Sequence, residues 1–188
     1  MIHISIISAS VRTERNSHRI ALYFQQYLKD NNIGTSEILD LMEYNFPVFE
    51  ERLKFQKDPS KKTVEFAEKI KASDGIIIVT PEYNGGYPAS LKNIIDLLLE
   101  EWLHKPIAIA TASSGAFAGL QSIISLQFSL WKMKAWTITE MFAVAKVQEA
   151  YDENGHATEK ESSDKKAAAF IKELVRCISM NKQQDLQS

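Results

Sequence analysis

The chain has 188 residues, of which 45% are hydrophobic, and this length and composition predict a single globular domain over residues 1–188. Its formal net charge is -2 and it contains no block of like charges, so binding to nucleic acid or to a membrane surface through charge is not expected. The first residues lack a basic segment and no apolar run approaches ~18 residues, which argues against a signal peptide and a membrane span.

The cysteine and histidine content bears on location and on metal binding. Cys177 is the single cysteine, so it cannot form an internal disulfide, and we expect a passive packing role in a reducing, cytoplasmic setting. The four histidines are scattered along the chain without the spacing of metal ligands. The sequence therefore predicts no metal site.

Strands and helices are predicted to alternate along the chain. Residues 2–8 are apolar and β-branched, as in a strand buried on both faces, and apolar residues at helical spacing follow from Asn16. Further strands are predicted at 36–41, 74–80, 107–112 and within 135–147, and further helices around 64–70, 91–99, 120–132 and 165–178. This order predicts a flavodoxin-like three-layer α/β/α sandwich with a five-stranded parallel sheet in the order 2-1-3-4-5.

Ligands of such sheets bind beyond the carboxyl ends of the strands, at the point where the strand order reverses. In the predicted order this point lies between the first and third strands. We therefore expect the loops that follow Ser8 and Thr80 to meet over a ligand.

The loop after the first strand reads "SASVRTERNSHRIA" and leads into a helix. A helix N-terminus presents unpaired N–H groups and a partial positive charge, which suits an anion, and serine hydroxyls with an arginine would complete a phosphate site. The glycine motifs of dinucleotide-binding and P-loop proteins are absent, which points to a mononucleotide such as FMN. The alternative is that Asn16 or Ser17 only caps the helix.

The loop after the third strand reads "PEYNGGYPAS". Asn84, Gly85 and Gly86 can take positive φ, so the chain can turn sharply there and expose backbone amides. Tyr83 and Tyr87 supply flat apolar surface with a polar tip. Such a loop can bind a planar ring with a polar edge, and the alternative is a tight turn that carries surface tyrosines.

The loop after the fourth strand, "TASSGAFAGL", combines small residues, two hydroxyls and two glycines. This composition allows close approach to a ring system. It is equally typical of an ordinary strand-to-helix turn with a helix cap.

Together these segments resemble a known family, the NADPH-dependent FMN reductases, which are flavodoxin-fold enzymes that include quinone, chromate and azo-dye reductases. The stretch "PEYNGGYPASLKNIID" is similar to the family signature "PEYNGSxPxxLKNxxD". The first loop, "ASVRTERNSHRIA", resembles "GSxRxxRNSxxxA", and "SSGAFAGL" resembles "SxGxxxGL". The resemblance covers roughly residues 3–175 in order.

The resemblance implies a set of FMN-binding residues. The phosphate would be held by Ser10, Arg12, Asn16 and Ser17. The isoalloxazine would be lined, mostly through backbone groups, by Pro81, Glu82, Tyr83, Asn84 and Gly85. One side of the ring would be closed by Ser113, Ser114 and Gly115. Arg15 is assigned either to the phosphate or to an incoming nicotinamide nucleotide.

The activity that the resemblance implies is transfer of hydride from NADPH or NADH through bound FMN to a quinone or another small electron acceptor. Because the flavin carries the chemistry, no catalytic side chain is expected, and a structural role is favoured over an acid role for Glu82. The alternatives are a flavodoxin-like electron carrier and a non-catalytic flavin-binding module.

The resemblance also implies a homodimer or a tetramer. The apolar segment 91–102, with Trp102, is the predicted contact, and the aromatic loop 44–49 is predicted to overhang the partner's flavin. A second aromatic segment that contains Trp131, Met133 and Trp136 is assigned either to the core or to an interface.

Overall fold

The protein is described by a computed structural model over residues 1–185, which form a five-stranded parallel sheet in the order β2-β1-β3-β4-β5. The strands are β1 (His3–Ser8), β2 (Thr35–Asp40), β3 (Gly75–Pro81), β4 (Pro106–Ala112) and β5 (Trp136–Val144). Every pairing between neighbouring strands is parallel. The predicted strand order and fold class are confirmed.

Helices cover both faces of the sheet. They are α1 (His18–Asp30), α2 (Leu41–Tyr44), α3 (Lys61–Ala72), α4 (Ala89–Leu97), α5 (Leu120–Lys132), α6 (Val147–Ala150) and α7 (Lys160–Asp185), with 3-10 turns at Leu53–Phe55 and Glu100–Trp102. One core lies between the sheet and helices α1 and α7, and the other lies between the sheet and helices α3, α4 and α5. Within residues 1–185, no helix combines the length and apolar character that a membrane crossing requires.

Alternate residues of the central strand β3 point to opposite faces of the sheet. Ile77 and Val79 join the core beneath α1 and α7, whereas Ile76 and Ile78 join the core beneath α3, α4 and α5. All four side chains are fully buried, as the continuous apolar run predicted. Because helices cover both faces of the sheet, its exposed end is the place for a ligand.

Some element ends differ from the predictions by a few residues. The second strand stops at Asp40, because its carboxylate accepts the backbone N–H of Met42 at 3.0 Å and begins α2. The helix predicted to reach residue 99 ends at Leu97, since Leu98 has an extended backbone. Helix α7 extends beyond the predicted residues 165–178 at both ends.

The large apolar side chains of segment 91–102 lie inside the domain. Leu91, Ile94 and Leu98 are buried, and Trp102 has no exposed surface. The contact surface predicted on this segment is therefore wrong, because its large apolar side chains already pack against the sheet and α3. Among the described residues, helix α5 carries four exposed large apolar side chains, whereas others such as Val48, Phe55 and Met141 lie scattered over the surface.

Candidate cofactor site

The loops after β1, β3 and β4 meet at the carboxyl end of the sheet and enclose a cavity of about 320 Å³. Most of the predicted site residues line it: Ser10, Arg12, Asn16, Ser17, Pro81, Glu82, Tyr83, Ser113 and Ser114. Asn84, Gly85 and Gly115 do not line it. The loop convergence expected from the strand order is thus present, and the cavity is the candidate site.

Two side-chain hydrogen bonds tie the first loop to the second loop and the start of α4. The hydroxyls of Ser10 and Tyr83 hydrogen bond at 2.7 Å, and Ser10 is almost fully buried. The Ser90 hydroxyl, at the start of α4, donates to the carbonyl of Ala9 at 2.6 Å. Because β1 and β3 are adjacent, these contacts hold both loops over one end of the sheet.

Ser17 stands at the N-terminus of α1, and its buried hydroxyl has no hydrogen-bond partner among residues 1–185. It occupies the cap position but caps no backbone N–H, and the first turn of α1 contains no acidic residue. A cap-only role for Ser17 is therefore wrong. A buried hydroxyl at a helix N-terminus is completed by a bound oxyanion, so this end of the cavity fits the phosphate of FMN.

Arg12 is exposed at the rim of the cavity. Its guanidinium lies 5.6 Å from the centroid of the Tyr83 ring, within the range of a cation–π contact. This contact places a positive charge near the buried serines, where it favours an anion.

Arg15 also lines the cavity, and its guanidinium is bound at the end of β2. Its guanidinium donates to both carboxylate oxygens of Asp40 and, at 3.1 Å, to the carbonyl of Ser10. Sequence analysis missed Asp40, although an acidic residue that ends a strand beside β1 was a usable signal. Thr13, Glu14 and Val147 also line the cavity and were not predicted.

His18 begins α1 behind the first loop. Its Nδ1 lies 2.9 Å from the Ser8 hydroxyl and 3.7 Å from a carboxylate oxygen of Asp40. Burial, and then the charge of Arg15, lower the pKa of His18 below its usual value, so the imidazole is neutral near pH 7. Because one ring nitrogen faces both neighbours, this group does not form a Ser-His-Asp triad.

The second loop contains a two-residue turn. Tyr83 and Gly86 exchange backbone hydrogen bonds of 2.8 and 3.1 Å across Asn84 and Gly85, whose φ values are 52° and 82°. This is the geometry of a type I′ turn, which explains the Asn-Gly pair. Asn84 and Gly85, at the tip of the turn, lie outside the cavity, as the tight-turn interpretation expects. Tyr83, at the base of the turn, lines the cavity, as the ring-binding interpretation expects.

Glu82 caps helix α5. Its carboxylate accepts the backbone N–H of Gln121 at 3.1 Å, at a helix end where a negative charge is stabilising. This contact is the structural role that the sequence analysis favoured for Glu82. It also joins the second loop to the helix that follows the third loop.

The third loop is held by hydrogen bonds within itself and to the segment that follows β5. The Ser113 hydroxyl donates to the carbonyl of Gly115 at 3.0 Å, and the backbone N–H of Val147 donates to the carbonyl of Ser113 at 3.0 Å. Ser114 and Gly115 are exposed, and a Cβ at Gly115 would meet no atom within 4 Å. The small residues here leave open space at the cavity mouth.

Residues 2–149 match the NADPH-dependent FMN reductase family. An NAD(P)H-dependent FMN reductase of Saccharomyces cerevisiae is 31% identical over 144 residues, which cover 70% of this chain and 74% of the yeast protein. A quinone reductase of Pseudomonas putida is 29% identical over 133 residues, 68% of each chain. In fold, the chain resembles FerB, a flavoenzyme NAD(P)H:(acceptor) oxidoreductase from Paracoccus denitrificans, with a TM-score of 0.76 at 21% identity over 94% of this chain and 98% of that one. The chain therefore belongs to the NADPH-dependent FMN reductase family.

Proposed function

We propose that this protein is an FMN-dependent NAD(P)H oxidoreductase that reduces a quinone or another small acceptor. The observation that carries the proposal is the buried, unpartnered hydroxyl of Ser17 in the cavity at the N-terminus of α1. An oxyanion at this position satisfies the hydroxyl and the helix end together. Family membership supplies the class of reaction.

The residues of the first loop hold the phosphate end of the cofactor. Ser17 and the amide end of α1 lie at the bottom, Ser10 is fixed by Tyr83, and Arg12 and Asn16 stand at the rim. These groups bind and orient the cofactor and supply no proton to the reaction. Bound FMN supplies the hydride and electron-transfer chemistry.

The residues of the second and third loops border the ring end. Tyr83 and Pro81 offer apolar surface, and Ser113 and Ser114 offer small polar groups beside open space. The open third loop leaves room for a nicotinamide from NADPH or NADH and, after it, for a flat acceptor. The protein's part is to place these molecules and limit water at the ring.

A flavin-retention experiment tests this proposal. Purified protein is loaded with FMN and desalted, and its absorbance is recorded before and after NADPH or NADH is added under argon. We expect retained bands near ~375 and ~450 nm that the nucleotide bleaches. Retained bands that do not bleach would indicate an electron carrier, and a chain without retained flavin would indicate a non-catalytic module.

We also propose a homodimer that joins through α5. Its outward side chains Leu120, Ile124, Phe128 and Trp131 are between 46% and 73% exposed and follow one another at helical spacing. Helix α5 carries one charged residue, Lys132, so two copies related by a twofold axis can pair their apolar faces without burying charge. A sedimentation experiment that finds only monomer at micromolar concentration would refute this proposal.

The cytoplasmic location expected from the sequence stays a prediction.

A further inference from the structure

A largely buried ion pair joins the first loop to the end of β2. The Arg15 guanidinium binds both carboxylate oxygens of Asp40, and the exposed fractions of the two side chains are 14% and 6%. Asp40 also accepts the backbone N–H of Met42 at 3.0 Å, so the carboxylate is held from the α2 side. The bidentate contact fixes the position and the plane of the guanidinium.

The same guanidinium holds the backbone of the loop between β1 and α1, residues 9–17, which we call the phosphate loop. It donates to the carbonyl of Ser10 at 3.1 Å, and the Ser10 hydroxyl contacts Tyr83. Glu14, which lies in this loop next to Arg15, has a φ of 57°, a left-handed conformation that a side chain disfavours. The loop therefore has an unfavourable backbone conformation at Glu14, and Arg15 holds its first part through the Ser10 carbonyl.

Stability alone is a weak reason for this pair. Both charges lose hydration on burial, so apolar side chains of similar volume often stabilise a fold as well or better. A pair of this kind is instead suited to imposing one geometry. The group whose geometry it controls here is the loop between β1 and α1, which ends at the unpartnered hydroxyl of Ser17.

We propose that Arg15 and Asp40 are positioning residues that set the phosphate loop for FMN, so that they determine the preference for FMN over unphosphorylated riboflavin. This inference rests on the proposed function. Asp40 keeps Arg15 on the Ser10 carbonyl, and the loop then presents Ser10 and Ser17 to the phosphate. Arg15 acts through the loop and does not itself bind the phosphate.

The variant Asp40→Asn separates the two roles that Arg15 could have. Asn keeps an acceptor for Met42 but removes the charge that holds the guanidinium. A positioning Arg15 then releases the loop, and FMN binds more weakly. A phosphate-binding Arg15 is instead freed from its partner, and FMN binds as well or more tightly.

The dissociation constants of FMN and riboflavin are measured by flavin fluorescence for the full chain and its variants. We expect Asp40→Asn to weaken FMN binding by about ten- to hundredfold, as when a residue that orients a ligand-binding group is lost, and to change riboflavin binding less than about threefold. Asp40→Glu should recover part of the FMN affinity. Asp96→Asn, which breaks the exposed Lys92–Asp96 pair on α4, is the matched control and should change neither constant.

Three outcomes would overturn the inference: unchanged or tighter FMN binding in Asp40→Asn, equal weakening of both flavins, or the same loss in Asp96→Asn. If Asp40→Asn does not fold by circular dichroism, Arg15→Lys, which keeps the charge but cannot bridge both oxygens, must lower the FMN preference in the same way. Failure of the unmodified protein to bind FMN would instead refute the proposed function itself.

Discussion

The loops after β1 and β4 border one cavity but differ in how they are held. Ser10 and Ser17 of the first loop are almost fully buried, and the Ser17 hydroxyl has no partner. In the third loop Ser113 is bonded within the loop, and Phe117 is 85% exposed. The first loop thus keeps a buried hydroxyl without a contact in residues 1–185, whereas the third loop bonds to the segment after β5 and is exposed. This contrast supports the proposal that the phosphate end of the site is preformed and that its ring end is left open.

The largest effect is expected on the proposed dimer contact of α5, the helix that follows the open third loop. Phe128→Glu places a charge on the apolar face of each copy, and burial of an unpaired charge should raise the dimer dissociation constant by more than about hundredfold. Sedimentation velocity across a concentration series measures it. Lys29→Glu, on α1 at the opposite face of the sheet, reverses an exposed charge away from this surface and should leave the dimer intact. A Phe128→Glu variant that still forms dimers would exclude α5 as the interface.

The next effect tests the preformed side. Ser17→Ala removes a hydroxyl that should hydrogen bond a charged phosphate, so FMN binding should weaken by about 1.5–3 kcal/mol. The same change should slightly raise the melting temperature of the flavin-free protein, because it removes a buried polar atom without a partner. Ser162→Ala, at an exposed serine of α7 outside the cavity, serves as the control and should change FMN binding less than about threefold. Parallel titrations and thermal unfolding report both quantities.

Two glycines give a smaller contrast. Gly85 has a φ of 82°, so Gly85→Ala should destabilise the protein by about 1 kcal/mol. A Cβ at Gly115 would meet open space, and Gly115→Ala should stay within about 0.5 kcal/mol. Urea unfolding of both variants measures the difference. Equal costs would mean that the third loop is as tightly constrained as the turn of the second.

The smallest expected effect is on the pH dependence of stability, and it comes from His18 behind the first loop. Burial and Arg15 lower the pKa of His18, while Asp40 and Glu43 oppose this shift. The unfolded chain therefore takes up a proton at about pH 6.5 that the folded chain refuses, so stability should fall as the pH drops below about 6.5 and should not change through this group above it. His18→Gln should therefore weaken the pH dependence of the urea unfolding midpoint between pH 7.5 and 5.5. An unchanged slope in His18→Gln would contradict this account.

Much of the site was accessible to sequence reasoning because it follows from strand order. Once β1 and β3 were identified as neighbours, the loops that contain Ser10 and Tyr83 had to meet. Asn84 and Gly85 were predicted to turn the chain, and they do, but the turn carries them away from the cavity. The contact between Arg15 and Asp40 joins residues on separate strands and loops, so no local pattern specified it.

The sequence by itself determined the sheet order, the position of the cavity and the family, because apolar periodicity and short motifs are local properties of the chain. The tertiary structure decided which apolar helix is buried. Segment 91–102 and α5 are both rich in large apolar residues, yet Trp102 is fully buried and Trp131 is 65% exposed. The tertiary structure also decided that the Ser17 hydroxyl has no hydrogen-bond partner among residues 1–185 and that Arg15 pairs with Asp40. Burial and pairing depend on which groups the fold brings together from distant parts of the chain, and the order of residues along one segment does not contain that information.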